Sequence, residues 1–204
     1  KRQLEKSGEK RGAFDKLSPN DHVNMSQSTN DTYPTAMRLS TMLLLKERLY
    51  PAMETLRASF HKKAIEFGDA VKSGRTHLQD AVPITLGQEF GAWYSMMTRH
   101  MKRIQGAEHD ISYLGIGGSA AGSGLNTPPK YRTYVVEELR TLTGLDVKES
   151  EDLFEAMESL APFVHVMGGI KNLALDIIKI SSDLRLLCSG PMTGFAEIVL
   201  PAVQ

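Results

Sequence analysis

"TAMRLSTMLLLKERLYPAMETLRASFHKKAIEF", residues 35–67, decides the fold. Its apolar residues Leu39, Met42, Leu49, Met53, Leu56 and Phe60 recur at spacings of mostly three or four, interrupted at Lys46 and Lys63. That period is a helix stripe close to a heptad seam, and it predicts one long amphipathic helix. Pro51 lies inside the stripe. Proline removes one backbone hydrogen bond and crowds the preceding turn, which predicts a kink there rather than a stop. Pro34 falls in the first turn, where N–H groups have no helical partner in any case.

Immediately upstream stands "SQSTND", residues 26–31: three hydroxyls, two amides and a carboxylate in a row. A helix cap needs one such residue. The first N–H groups of a helix are free donors and carry the positive end of the macrodipole. Ser28, Thr29 and Asn30 add side-chain donors without adding formal charge, and the set suits a carboxylate or phosphate. The plainer alternative is that Asp31 or Thr32 is the N-cap and the rest is loop.

Downstream, "SGRTHLQDAVPITLG" (73–87) has no helical period and contains Pro83, so it is expected to be a loop, with at most a short extended piece. A second helix is expected over Leu86–Leu114, and a Gly/Ser loop over 115–127. A third helix should run from the Pro128–Pro129 pair to Gly144. A fourth is expected from about Ser150 to Cys188, with Pro162 as its kink and "SGPMTG" (189–194) as its end. The fold class is therefore all-α, a bundle of long helices joined by short polar loops. Helices of this length suggest packing against partners outside the chain.

The balance of 24 basic and 24 acidic residues in 204 argues against a nucleic-acid partner, which asks for a basic stripe. The basic excess in the first sixteen residues has acids interspersed and reads as a solvated face. A single cysteine, Cys188, permits no internal disulfide and fits a reducing cytoplasm. No apolar run reaches the roughly 18 residues of a membrane span. The chain opens on Lys1 and ends at "LPAVQ" (200–204), and it reads as a piece of something longer.

In "RTHLQD" (75–80), Thr76 and His77 sit between two long helices. His77 can bind or relay protons near neutral pH, or simply make a local hydrogen bond. None of the six histidines forms an i, i+4 pair with another, so no metal site is expected. Gly115–Ala120, "GIGGSA", formally matches a dinucleotide fingerprint, but a helix precedes it rather than a strand. It reads instead as a tight turn where backbone approaches backbone or a ligand. Cys188 and most of the ten methionines read as core.

Four stretches, in order, resemble the aspartase/fumarase superfamily: "PNDHVNMSQSTNDTYPTA" (19–36), "GRTHLQDAVPITLGQEF" (74–90), "GSGLNTP" (122–128) and "DLRLLCSGP" (183–191). The resemblance covers almost the whole chain. It implies a bundle of the aspartase/fumarase type that contributes to the helical core of a homotetramer, with each active site gathered from three subunits. Residues 1–34 would close an N-terminal domain and supply the substrate loop; residues 35–204 would be the central helical domain. The resemblance gives Ser28, Thr29 and Asn30 a substrate carboxylate to bind. It has Thr76 and His77 complete a neighbouring chain's pocket, as the catalytic contribution of this segment.

The implied reaction is reversible elimination from a four-carbon dicarboxylate to give fumarate through an aci-carboxylate, without cofactor or metal. Met25, Thr29 and "EDL" (151–153) lean towards an ammonia-lyase acting on L-aspartate. Thr32, His77 and Gly117–Gly118 sit equally well in a fumarate hydratase. The family's catalytic serine stands on a "GSSxMPxKxNP" loop, and its upstream "GTS" stretch contacts substrate; neither motif occurs here. These residues are therefore expected to be silent alone. A non-catalytic helical assembly module is the competing class.

Overall fold

The computed structural model describes residues 1–202; Val203 and Gln204, the end of "LPAVQ", lie outside the described residues. Helices dominate: α1 (Arg2–Lys6), α2 (Thr29–Leu44), α3 (Tyr50–Glu66), α4 (Leu86–Ile111), α5 (Tyr131–Thr143), α6 (Leu153–Glu158) and α7 (Ala161–Leu187). The strands are short: β1 (Val71–Thr76) pairs antiparallel with β2 (Gln79–Thr85), and β3 (Tyr113–Leu114) pairs parallel with β4 (Lys148–Glu149). By contacts the chain forms two compact units. One comprises residues 1–43 and 110–160, the other 44–109 and 161–204.

Of the long stripe, Met42, Met53 and Phe60 are buried, while Leu39, Leu49 and Leu56 are half-buried. Asp31, Thr35, Arg38 and Met42 are buried on α2, and Met53 and Phe60 on α3. The two helices are joined by a π-helical turn, Leu45–Leu49, and Pro51 sits at the start of α3. The proline therefore does not stop the helical run: a wide turn precedes it, and it falls in the first turn of α3.

Helix α4, which lies in the second unit up to His109, buries Leu86, Phe90, Trp93, Met97, His100, Ile104, Ala107 and Ile111. The alternating four–three spacing is a heptad seam over the whole helix. Phe60 of α3 meets Phe90 and Trp93 edge-on or tilted, with ring centroids 6.3 and 5.7 Å away. His100 Nε2 lies 2.6 Å from Asp176 Oδ2 of α7. On α7 itself only Val166, Leu173, Ile180 and Leu187 are buried, one residue in seven. Val164, Met167, Leu175 and Ile178 remain exposed on it.

Four sequence expectations are corrected. The helix begins at Thr29 rather than Thr35, because Ser28 and Asp31 cap it (below). The "loop" at 73–87 is largely a β-hairpin, whose pairing sets in between residues that show no apolar alternation. The fourth helix is interrupted after Glu158, and Pro162 lies in the first turn of α7, where a proline costs no hydrogen bond. Cys188 is half-buried rather than core.

Candidate active site

In the first unit, the start of α2 is closed reciprocally. Ser28 Oγ accepts from Asn30 N–H at 3.2 Å, and Asp31 Oδ1 accepts from Ser28 N–H at 2.9 Å. This is a capping box with aspartate in the role usually taken by glutamate. The other oxygen of Asp31 reaches across the chain: Oδ2 accepts from Gly117 N–H at 3.1 Å and from Ser119 N–H at 3.0 Å. Asp31 is fully buried. One carboxylate therefore fixes both the helix start and the glycine-rich loop. Gly117 has φ +94°, and a Cβ there would lie 3.0 Å from Arg132 Cβ, so the turn that presents its N–H to Asp31 needs glycine. This loop is the close backbone approach expected of "GIGGSA".

Around this joint the charges are consistent. Burial pushes the Tyr131 phenol up, and the Asp31 carboxylate pushes it further. Arg38, two turns further along α2, is buried and donates to the Ala156 carbonyl at 3.1 Å and to the carbonyls of Asp110 and Ile111, both at 3.4 Å. Burial pulls its guanidinium below the usual value, against the opposing charge of Glu155.

Thr29 and Asn30 face a recess of about 470 Å³ with Tyr33, Ala120, Phe154 and Glu158. Asn30 Nδ2 donates to Ala120 O at 2.7 Å, which fixes the amide's orientation at the rim. Thr29 and Asn30 thus line a cavity of metabolite size at the positive end of a sixteen-residue helix, while Ser28 caps that helix and does not line the cavity.

Thr76 and His77 are brought together in the second unit. Thr76 ends β1 and pairs with Gln79, leaving His77–Leu78 as a two-residue hairpin turn. Both have left-handed backbone, φ +52° and +61°. Such a turn matches the twist of the strands but normally takes Asn or Gly. His77 is exposed and lines a second recess of about 450 Å³ with Lys72, Arg75, Glu89, Trp93 and Phe195. In that wall Lys72 Nζ lies 2.8 Å from Glu89 Oε2 and 2.6 Å from Glu197 Oε2, and Arg75 pairs with Glu197 Oε1. Burial pushes the Glu197 carboxyl up, but its bonds to Arg75 and Lys72 win and hold it below the usual carboxylate range.

Sequence reasoning did not single out Asp31 as the link to the loop, nor Lys72, Arg75 and Glu197. The Ser28–Asp31 spacing was a usable capping signal. Nothing local signals Glu197. Among the described residues no group of three or more His, Cys, Asp or Glu side chains could hold a metal, and no helix is long and apolar enough to cross a membrane.

A lyase family model matches residues 2–204. The chain belongs to the aspartase/fumarase family of lyases. It is similar to a fumarate hydratase class II of Thermus aquaticus, 48% identical over 91% of this chain and 40% of that protein. It is as similar to an aspartate ammonia-lyase of Bacillus subtilis, 45% identical over 100% of this chain and 42% of that one. A fumarate lyase:delta crystallin structure from Brucella melitensis, bound to cobalt, superposes with a TM-score of 0.94 at 43% identity, over 100% of this chain and 44% of the other. A class II fumarase of Schistosoma mansoni gives 0.83 at 34% identity, over 91% and 42%. The chain spans about two fifths of the length of these relatives.

Proposed function

We propose that this chain is the carboxylate-gripping part of a lyase that reversibly eliminates ammonia from L-aspartate to give fumarate. The start of α2 carries the reading: Thr29 and Asn30 line a recess with uncharged polar side chains, and Ser28 beside them is locked to Asp31 in the helix cap. Elimination removes the C3 proton and gathers charge on the adjacent carboxylate as an aci-carboxylate. Fixed neutral donors aimed at those oxygens stabilise that charge more than they stabilise the substrate. The helix end alone contributes about 0.3–1 kcal/mol, so the side-chain donors supply most of the gain.

In this reading Thr76 and His77 act on a neighbouring copy's pocket. His77 hydrogen-bonds a substrate carboxylate and supports the charge developing there. Residues 1–34 close an N-terminal domain and 35–204 form the central bundle of a homotetramer. The exposed apolar residues of α7 support such an assembly, because a helix apolar on most sides is stable only when covered. The base comes from a segment absent from these residues, and the chemistry calls for no cofactor.

A second reading, hydration of fumarate to malate, is favoured by the 48% identity to a fumarate hydratase. Assay of the full-length protein with L-aspartate and with L-malate, following fumarate absorbance, separates the two. Thr29→Ala and His77→Ala should each lower kcat/KM about 100-fold or more while leaving assembly intact. Turnover of neither substrate, or unchanged turnover in both variants, refutes the proposal. A helical assembly module without chemistry would give that result.

A further inference from the structure

We infer that Glu197 is a positioning residue for His77, holding the β1–β2 hairpin from a distant part of the chain. The inference rests on the reading that His77 takes part in the site.

The hairpin has little of its own to fix it. Residues 76–83 are exposed throughout, and the ladder shifts register between Ser73 and Arg75. A two-stranded hairpin of this kind is marginal in water. Its turn is also strained, since two non-glycine residues in succession hold positive φ. Such a conformation persists only where the surroundings over-determine it.

The surroundings that do so are ionic. Lys72 and Arg75 stand five and two residues before His77 on the same strand. Each meets a different oxygen of Glu197, Lys72 at 2.6 Å on Oε2 and Arg75 on Oε1. The Lys72 side chain is 8% exposed and that of Glu197 17%, so solvent screens the cluster weakly. The Arg75 guanidinium also lies 3.9 Å over the Phe195 ring. Glu89 takes only Lys72, and it does so at the start of α4. Among the described residues Glu197 alone joins both cations. Without it half-buried Arg75 loses its ion-pair partner and keeps only the weaker influence of Asp80, its cross-strand neighbour, and Glu89. Catalytic groups must be held to within fractions of an ångström, and a displacement of about 1 Å can cost on the order of 100-fold in rate.

The test uses Glu197→Gln and Glu197→Asp in the full-length protein. We expect Glu197→Gln to lower kcat by about 10- to 100-fold at unchanged oligomeric state. Glu197→Asp, which keeps the charge, should recover part of the loss. Introduced into His77→Ala, Glu197→Gln should cause no further loss, because a residue acting through His77 has nothing left to position. An unchanged kcat, or a loss that multiplies with that of His77→Ala, overturns the inference. Amide hydrogen exchange of residues 75–80 is read in parallel and needs no turnover. Exchange about tenfold faster in Glu197→Gln supports the inference and unchanged exchange overturns it. If the wild type turns over no dicarboxylate, the functional reading fails while the exchange result still decides whether Glu197 holds the hairpin. If Glu197→Gln does not fold, the same kinetic and exchange comparisons are made on Glu197→Asp.

Discussion

Replacing Asp31 by Asn keeps shape and volume and removes only the charge and one acceptor. In the native chain Asp31 accepts three N–H groups, from Ser28 at 2.9 Å, Gly117 at 3.1 Å and Ser119 at 3.0 Å. Hydrogen bonds to a charged group contribute about 1.5–3 kcal/mol each, neutral ones about half as much. An asparagine that keeps its oxygen towards the loop loses the Ser28 bond outright and weakens the other two. It also gives up the negative charge at the helix start, about 0.3–1 kcal/mol. The sum is a destabilisation of about 3–7 kcal/mol. For a chain of this size each kcal/mol lowers Tm by about 2–4 °C, so the expected shift is roughly 6–28 °C. Thermal and urea denaturation of Asp31→Asn, Asp31→Ala and a control, Thr32→Val, read it directly. Thr32 also bonds near the cap, donating through Oγ1 to Ser28 O at 2.7 Å, within α2's own first turn. Asp31→Ala should be the least stable of the three. If both Asp31 variants melt within about 2 °C of wild type, or no lower than Thr32→Val, the carboxylate does not hold the two segments together.

Gly117→Ala should cost about 1–3 kcal/mol in urea denaturation, from a left-handed φ of +94° and a Cβ 3.0 Å from Arg132 Cβ. Stability near the hairpin should be pH-dependent with a fixed sign. The Glu197 carboxyl is held below its usual range, so its contribution is complete above that range and is lost as pH falls through the lowered value. Hydrogen exchange of β1 amides at several pH values should show acid loosening in the wild type, and Glu197→Gln should flatten it. Phe60→Ala should cost about 3–5 kcal/mol, since Phe60 fills the seam against Phe90 and Trp93.

The helices were legible because their burial follows a period. The stripe of residues 39–60 and the heptads of α4 place apolar side chains where a 3.5-residue repeat puts one face. The hairpin was not legible. Its β2 strand is exposed at Gln79–Pro83, so neither face carries an apolar signature, and its turn is His-Leu rather than Asn-Gly. The start of α2 was read six residues late, because Asn30 and Asp31 look like loop formers until Ser28 and Asp31 are seen to cap each other. Of the site, Ser28–Asn30 and Thr76–His77 stood out as polar clusters at helix and loop boundaries. The residues that fix those clusters did not. Asp31 meets its loop partners 86 and 88 positions away, and Arg75 meets Glu197 across 122. Pairings at such separations leave no trace in a local window.

The left-handed pair His77–Leu78 has a consequence for engineering. A non-glycine residue in that region costs on the order of 1–3 kcal/mol, and Leu78 gains nothing in return from burial, being 64% exposed. Selection for heat tolerance alone would therefore accept Gly or Asn at position 78 early. The same exchange would slacken the tip that carries the imidazole, so ruggedness and turnover pull this one peptide unit in opposite directions.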